Sequence, residues 1–130
     1  MLLLQQSFLL VIFLVRTMDK PKISIEEFSK IEIKIGTVRS AERIPDTDKL
    51  LRLMVDFNEE GGPRQIVSGI VAYVPEPESL VGRQLAFVTN LEPRTLRGLE
   101  SNGMLFAVGE GETFAFVTPD REVPPGTSAH

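Results

Sequence analysis

The sequence predicts an all-β protein, a five-stranded barrel with a short helical insert and an extra strand near the C-terminus. Three observations point there. Apolar residues recur at every second position over short runs, as at Leu51, Leu53, Val55 and Phe57, the period of a strand with one buried face. Turn chemistry punctuates the runs, as at Asn58-Glu59-Glu60-Gly61-Gly62-Pro63 and Gly109-Glu110-Gly111-Glu112. Between the third and fourth strands a brief stretch, residues 70–73, suits a helical turn, and Pro75 and Pro77 forbid a longer helix there. Short strands with regular turns and one small insert fit a closed or nearly closed barrel.

Each element has its own justification. Ser24-Ile25-Glu26-Glu27-Phe28 has the form of a capping box, in which Ser24 accepts from the Glu27 amide and Glu27 reaches back. That predicts one helical turn, with Phe28 as an anchor into the core. Ile31, Ile33 and Ile35 alternate with Glu32 and Lys34 as a first strand. Gly36 breaks the alternation and Val38 falls on the other phase, which suggests a bulge or a sharp barrel corner. The second strand carries Leu51, Leu53, Val55 and Phe57, and the third is Arg64–Ser68. The fourth covers 84–90, the fifth 104–108 and the sixth 114–118. The arrangement that fits best is a five-stranded oligonucleotide/oligosaccharide-binding barrel.

At 130 residues, 42% hydrophobic and 25% charged, the chain suits one compact domain with a real core. The first 17 residues stand apart. Their clean apolar run, residues 8–15, is too short to span a bilayer. They also lack the positive start and small cleavage residues of a signal peptide. The favoured reading is a disordered tail or an upstream translation with Met18 as the true start; a packing helix and membrane targeting are the alternatives. The domain is then 18–130.

Composition removes whole classes of chemistry. There is no cysteine, so disulfides, thiolate metal sites and cysteine nucleophiles are out. The single histidine is His130, the last residue, which cannot build a triad or a multi-histidine metal site. Asp46-Thr47-Asp48 lacks the further ligands of a calcium loop and reads as turn chemistry. No enzyme, metal or cofactor is expected. The net charge of −4 argues against a cation that coats nucleic acid indiscriminately, though a local basic face is allowed.

The chain also resembles a known family. Phe28-Ser29-Lys30-Ile31-Glu32-Ile33-Lys34-Ile35-Gly36 is followed by Asp48-Lys49-Leu50-Leu51-Arg52-Leu53, then by Arg64-Gln65-Ile66-Val67-Ser68-Gly69-Ile70. Next come Asn90-Leu91-Glu92-Pro93-Arg94-Thr95-Leu96-Arg97-Gly98 and Ser101-Asn102-Gly103-Met104. In this order the segments resemble the tRNA-binding domain found at the C-terminus of many methionyl-tRNA synthetases and in proteins like the endothelial monocyte-activating polypeptide. The CsaA chaperones are a close relative. The resemblance implies a cytoplasmic, non-catalytic module that grips tRNA by shape. It would act as a free-standing homodimer or as an accessory in trans to methionyl-tRNA synthetase. A CsaA-like export chaperone that binds unfolded peptides is the alternative. One departure concerns charge: Glu92 stands where relatives frequently have lysine.

Candidate residues follow from what tRNA binding requires. Phosphates need cations, and ribose and bases need polar and soft apolar groups. Lys49 sits where a loop enters the second strand, and Arg94 and Arg97 lie between the fourth and fifth strands. Arg52 and Arg64 can extend the patch, and Asn90 and Ser101 can bond phosphate or ribose. Met104 offers a soft apolar contact. By resemblance, Lys49, Ser101 and Met104 lead. Plainer readings stand beside these: solvated cations, turn residues at Asn90 and Ser101, and a core residue at Met104. The resemblance further implies a dimer interface at Ile25, Phe28, Phe114, Phe116 and Pro124.

Overall fold

The computed structural model describes residues 19–130, of which 31–130 form one compact unit. The expected leader over 1–17 lies outside the described residues. Ahead of the unit, α1 (Ile25–Phe28) is capped by Ser24, whose Oγ accepts from the Glu27 amide at 3.1 Å. The reciprocal bond from the Glu27 side chain is not made. The expectation that Phe28 anchors the core is corrected: it is 45% exposed, and the helix buries no residue. Four residues make a single turn, too short to present an apolar stripe.

The compact unit is a nearly closed, five-stranded antiparallel barrel. Its strands are β1 (Ile33–Arg43), β2 (Leu51–Asp56), β3 (Arg64–Ser68), β4 (Gln84–Val88) and, later in the chain, β7 (Met104–Leu105). They run in the order β3-β2-β1-β4-β7, and a short β10 (Ser128–Ala129) pairs with β1 at Ile33 and Lys34. The remaining seam is bridged just before β7. There the Asn102 amide donates to the Gln65 carbonyl at 2.8 Å, and the Val67 amide donates to Ser101 Oγ at 3.0 Å.

The period-two pattern of β2 does what the sequence implies. Leu51, Leu53 and Val55 are wholly buried, and they meet Val38, Ile66, Leu80, Leu85 and Phe87 in one core. Each such side chain contributes about 1.5–3 kcal/mol on burial. Phe57 closes one end against Phe87, edge to face at 5.5 Å.

In β1 the buried phase is Gly36 and Val38, while Ile33 and Ile35 are only half-buried. A Cβ on Gly36 would lie 2.4 Å from Val55 Cγ1 and 2.6 Å from a Phe57 ring carbon. Glycine is there because the Val55 and Phe57 side chains occupy the space a Cβ would need. The register slip falls later, between Val38 and Ser40.

The insert is two 3-10 turns, Val71–Tyr73 and Pro77–Leu80. The fifth strand of the sequence reading splits after Phe106, whose amide donates to Ala86 O at 2.9 Å. Beyond it β8 (Ala107–Val108) pairs instead with β9 (Ala115–Phe116). The stretch between the fourth and fifth strands, read from sequence as a loop, holds a hairpin of β5 (Arg94–Leu96) and β6 (Leu99–Ser101).

Candidate functional site

That hairpin organises the candidate site. Leu96 and Leu99 are register partners, so Arg97 and Gly98 are a two-residue turn. Their φ angles are +51° and +79°, the left-handed pair that matches the twist of a hairpin. Gly98 adopts it freely, whereas Arg97 does so at a cost of roughly 1–2 kcal/mol. Asparagine or glycine would suit that backbone better, and an exposed arginine is held at the hairpin tip instead.

Across from the tip, Thr47, Asp48, Lys49 and Leu50 complete an open hollow of about 350 Å³ with Arg97. The Lys49 carbonyl accepts from the Val71 amide at 3.1 Å, which fixes the backbone from which the lysine projects. A second, smaller and more enclosed hollow of about 50 Å³ lies at the base of the hairpin. Arg94, Ser101 and Met104 line it with Leu91, Glu92 and Leu96 among others. Lys49, Arg94 and Arg97 are exposed, and none makes an ion pair among the described residues. Glu92, the charge departure seen in the sequence, lies in the same hollow as Arg94 and lowers its net positive field.

The other candidate residues are differently placed. Arg52 donates through NH1 to Glu42 at 2.8 Å and through Nε to Gln65 at 2.7 Å. Arg64 grips Glu59 with two donors at 2.8 and 2.7 Å, donates to Thr89 O at 2.7 Å, and lies over the Phe57 ring at 5.4 Å. The two side chains thus hold the barrel's own strands and loops together. Glu59 is accordingly held below the ordinary carboxylate range, chiefly by the Arg64 hydrogen bond, and the Arg64 guanidinium is pushed up by the same bond.

Ser101 is buried, and its hydroxyl is used twice: it accepts from Val67 and donates to Gly103 O at 3.1 Å. Asn90 is exposed, but its Oδ1 accepts from the Glu32 amide at 2.8 Å. Met104 is 46% exposed, so the core reading of this residue does not hold. Together with Phe106 at 40% and Val108 at 49%, it makes an apolar stripe on alternate positions. Among the residues assigned to a dimer, Ile25, Phe28 and Pro124 are exposed. Phe114 stacks on Tyr73 at 4.0 Å, and Phe116 lies under the Arg83 guanidinium at 5.2 Å.

Sequence reading grouped Lys49 with Arg94 and Arg97 but missed the hairpin. A faint signal was present. Arg97-Gly98 is flanked symmetrically by Leu96 and Leu99, a pattern suited to a two-residue turn, but the usual asparagine or aspartate is absent.

Residues 33–128 match the family described as "Putative tRNA binding domain". The chain belongs to the tRNA-binding-domain family. It is similar to the methionine–tRNA ligase of Methanoregula boonei, 49% identical over 112 residues that cover 86% of this chain and 16% of the ligase. To the ligase of Thermotoga maritima it is 45% identical, over 83% of this chain and 17% of the relative. The chain therefore spans about a sixth of the length of these curated relatives. In structure it is similar to a MetRS-related protein from Pyrococcus horikoshii, with a TM-score of 0.76 and 38% identity. That match covers 85% of this chain and all of the other. The chaperone CsaA from Bacillus anthracis matches with a TM-score of 0.73 and 31% identity, again over 85% and 100%. Among the described residues no helix is long and apolar enough to cross a membrane, and no cluster of ligating side chains suits a metal ion.

Proposed function

We propose that this domain is a non-catalytic tRNA-binding module of the cytoplasm. It holds folded tRNA through phosphate contacts and so raises the local concentration of tRNA at a methionyl-tRNA synthetase. The observation that carries this reading is the exposed set Lys49, Arg94 and Arg97, unpaired along one hairpin and the loop facing its tip. Phosphate neutralisation supplies affinity without reading sequence, which suits a partner that must serve many tRNAs or an enzyme that reads the anticodon itself. With only a few such cations and an acidic chain, one copy binds modestly. Pairing into a homodimer, or docking in trans on the synthetase, adds effective concentration.

The test compares total tRNA with linear single-stranded RNA between roughly 50 and 200 mM salt. A steep salt dependence and a preference for the folded RNA are expected. A second reading is favoured by the apolar stripe Met104, Phe106 and Val108 and by the likeness to CsaA: a chaperone that binds unfolded peptides. Peptide binding that ignores salt, with no tRNA retained, would select it. Light scattering on the full chain and on a form starting at Met18 tests the homodimer; a monomer at micromolar concentration counts against it.

A further inference from the structure

The hollow at the hairpin tip holds a residue that simple phosphate binding does not need. Asp48 lines it together with the two cations, Lys49 and Arg97. From sequence, Asp48 belongs to the turn Asp46-Thr47-Asp48, but the structure gives the turn's work to its neighbours. Asp46 supplies the left-handed corner with φ +63°. Thr47 closes the turn, its amide and its Oγ both donating to Ile44 O, at 3.3 and 2.9 Å. The Asp48 carboxylate makes no hydrogen bond or ion pair among the described residues, even with the lysine and arginine that share its hollow. Two unpaired cations and one unpaired carboxylate therefore face one open space.

A ligand that satisfies all three must carry negative charge for the two cations and offer a hydrogen-bond donor to the carboxylate beside them. A nucleic-acid backbone with only phosphates brings like charge up to the exposed Asp48 carboxylate and offers it no donor. A ribose supplies what is missing. Its 2′-hydroxyl is a donor as well as an acceptor, and it lies between successive phosphates of the strand.

We infer that Asp48 is the specificity-determining residue of this hollow, accepting a hydrogen bond from a ribose 2′-hydroxyl while Lys49 and Arg97 hold the flanking phosphates. This rests on the tRNA reading above and sharpens it, since the same hollow would then reject a strand that lacks the donor. A hydroxyl donated to a carboxylate is a charge-assisted bond of the stronger kind.

The experiment measures the affinity of the full chain for an unmodified tRNA transcript and for its 2′-fluoro counterpart. The fluorine keeps the A-form sugar but removes the donor. The wild type is expected to bind the 2′-fluoro RNA about tenfold more weakly, the loss of one hydrogen bond to a charged group. Asp48→Ala should weaken unmodified tRNA and bring the two affinities together. Asp48→Asn, which keeps an acceptor oxygen, should restore part of the preference. Unchanged thermal unfolding, followed through the single tyrosine Tyr73, would show that the turn is intact. If Asp48→Ala shifts both RNAs by the same factor, the carboxylate acts only through its charge and the inference is overturned. If the wild type retains no tRNA at any salt, the tRNA reading falls and takes this inference with it.

Discussion

Arg52 and Arg64 sit on strands of the barrel wall; Arg94 and Arg97 sit on the hairpin beside it. All four are the same residue type within one small domain. The first two are held by Glu42, Gln65, Glu59 and Thr89, and their charge is spent inside the fold. The second two face solvent without an acidic partner within ion-pair reach among the described residues, on a hairpin whose backbone is strained at Arg97. The difference teaches that a count of cations says little about a binding surface. Pairing decides which cations can still meet phosphate, and strain at a tip suggests that a side chain is kept for something other than stability.

The comparison can be broken most directly at Arg64. Arg64→Ala removes three hydrogen bonds and the cover over Phe57, so the domain should lose about 2–3 kcal/mol of stability. The salt dependence of tRNA binding, measured on folded protein, should be unchanged; a slope reduced by about one would place Arg64 on phosphate after all.

Ser101→Ala comes next. It strips the acceptor from the buried Val67 amide at the barrel seam, and chemical denaturation should record a loss of about 1–2 kcal/mol. If stability holds while tRNA affinity falls, the hydroxyl serves the ligand rather than the seam.

Arg97→Gly should move the two properties in opposite directions. Glycine relieves the left-handed backbone, and the thermal midpoint should rise by the equivalent of about 1 kcal/mol. Affinity should fall for all tRNAs alike, with a flatter salt slope. A selective loss for one tRNA species would contradict recognition by shape.

The smallest effect is a pH dependence confined to the paired region. Asp56 is held below its ordinary value of 3.8, first by the Arg39 hydrogen bond and then by the Asn58 amide. Glu59 is held below 4.5, chiefly by Arg64. A carboxyl with a depressed folded value stabilises the fold above its unfolded value and stops doing so as pH falls through the folded one. Stability should thus be flat above about pH 5 and decline progressively from about 4.5 downward. In Glu59→Gln the decline should be shallower; an identical acid limb would remove Glu59 from the account.

Much of the barrel was legible. Leu51, Leu53 and Val55 announce β2 because only a strand puts alternate residues on one face, and Arg64–Ser68 was read with the bounds it has in the structure. Phe28 was misjudged because a single capped turn has no face of its own to bury. The candidate site was legible as residue types in a recognisable order and as an expected patch of cations, but not in which of those cations the fold pairs. Nothing local told that Arg64 would meet Thr89, 25 positions away, or that Ser101 would meet Val67, 34 positions away.

The sequence by itself determined the period of the strands, the places where glycine and proline end them, and the absence of cysteine and internal histidine chemistry. Local sterics and side-chain type suffice for those. Only the tertiary structure decided which cations are neutralised, which hydroxyl is buried in the seam, and which carboxylate is left facing Lys49 and Arg97. Those outcomes depend on strand register and loop closure, which set distances between residues far apart in the chain and so have no signature at any single position.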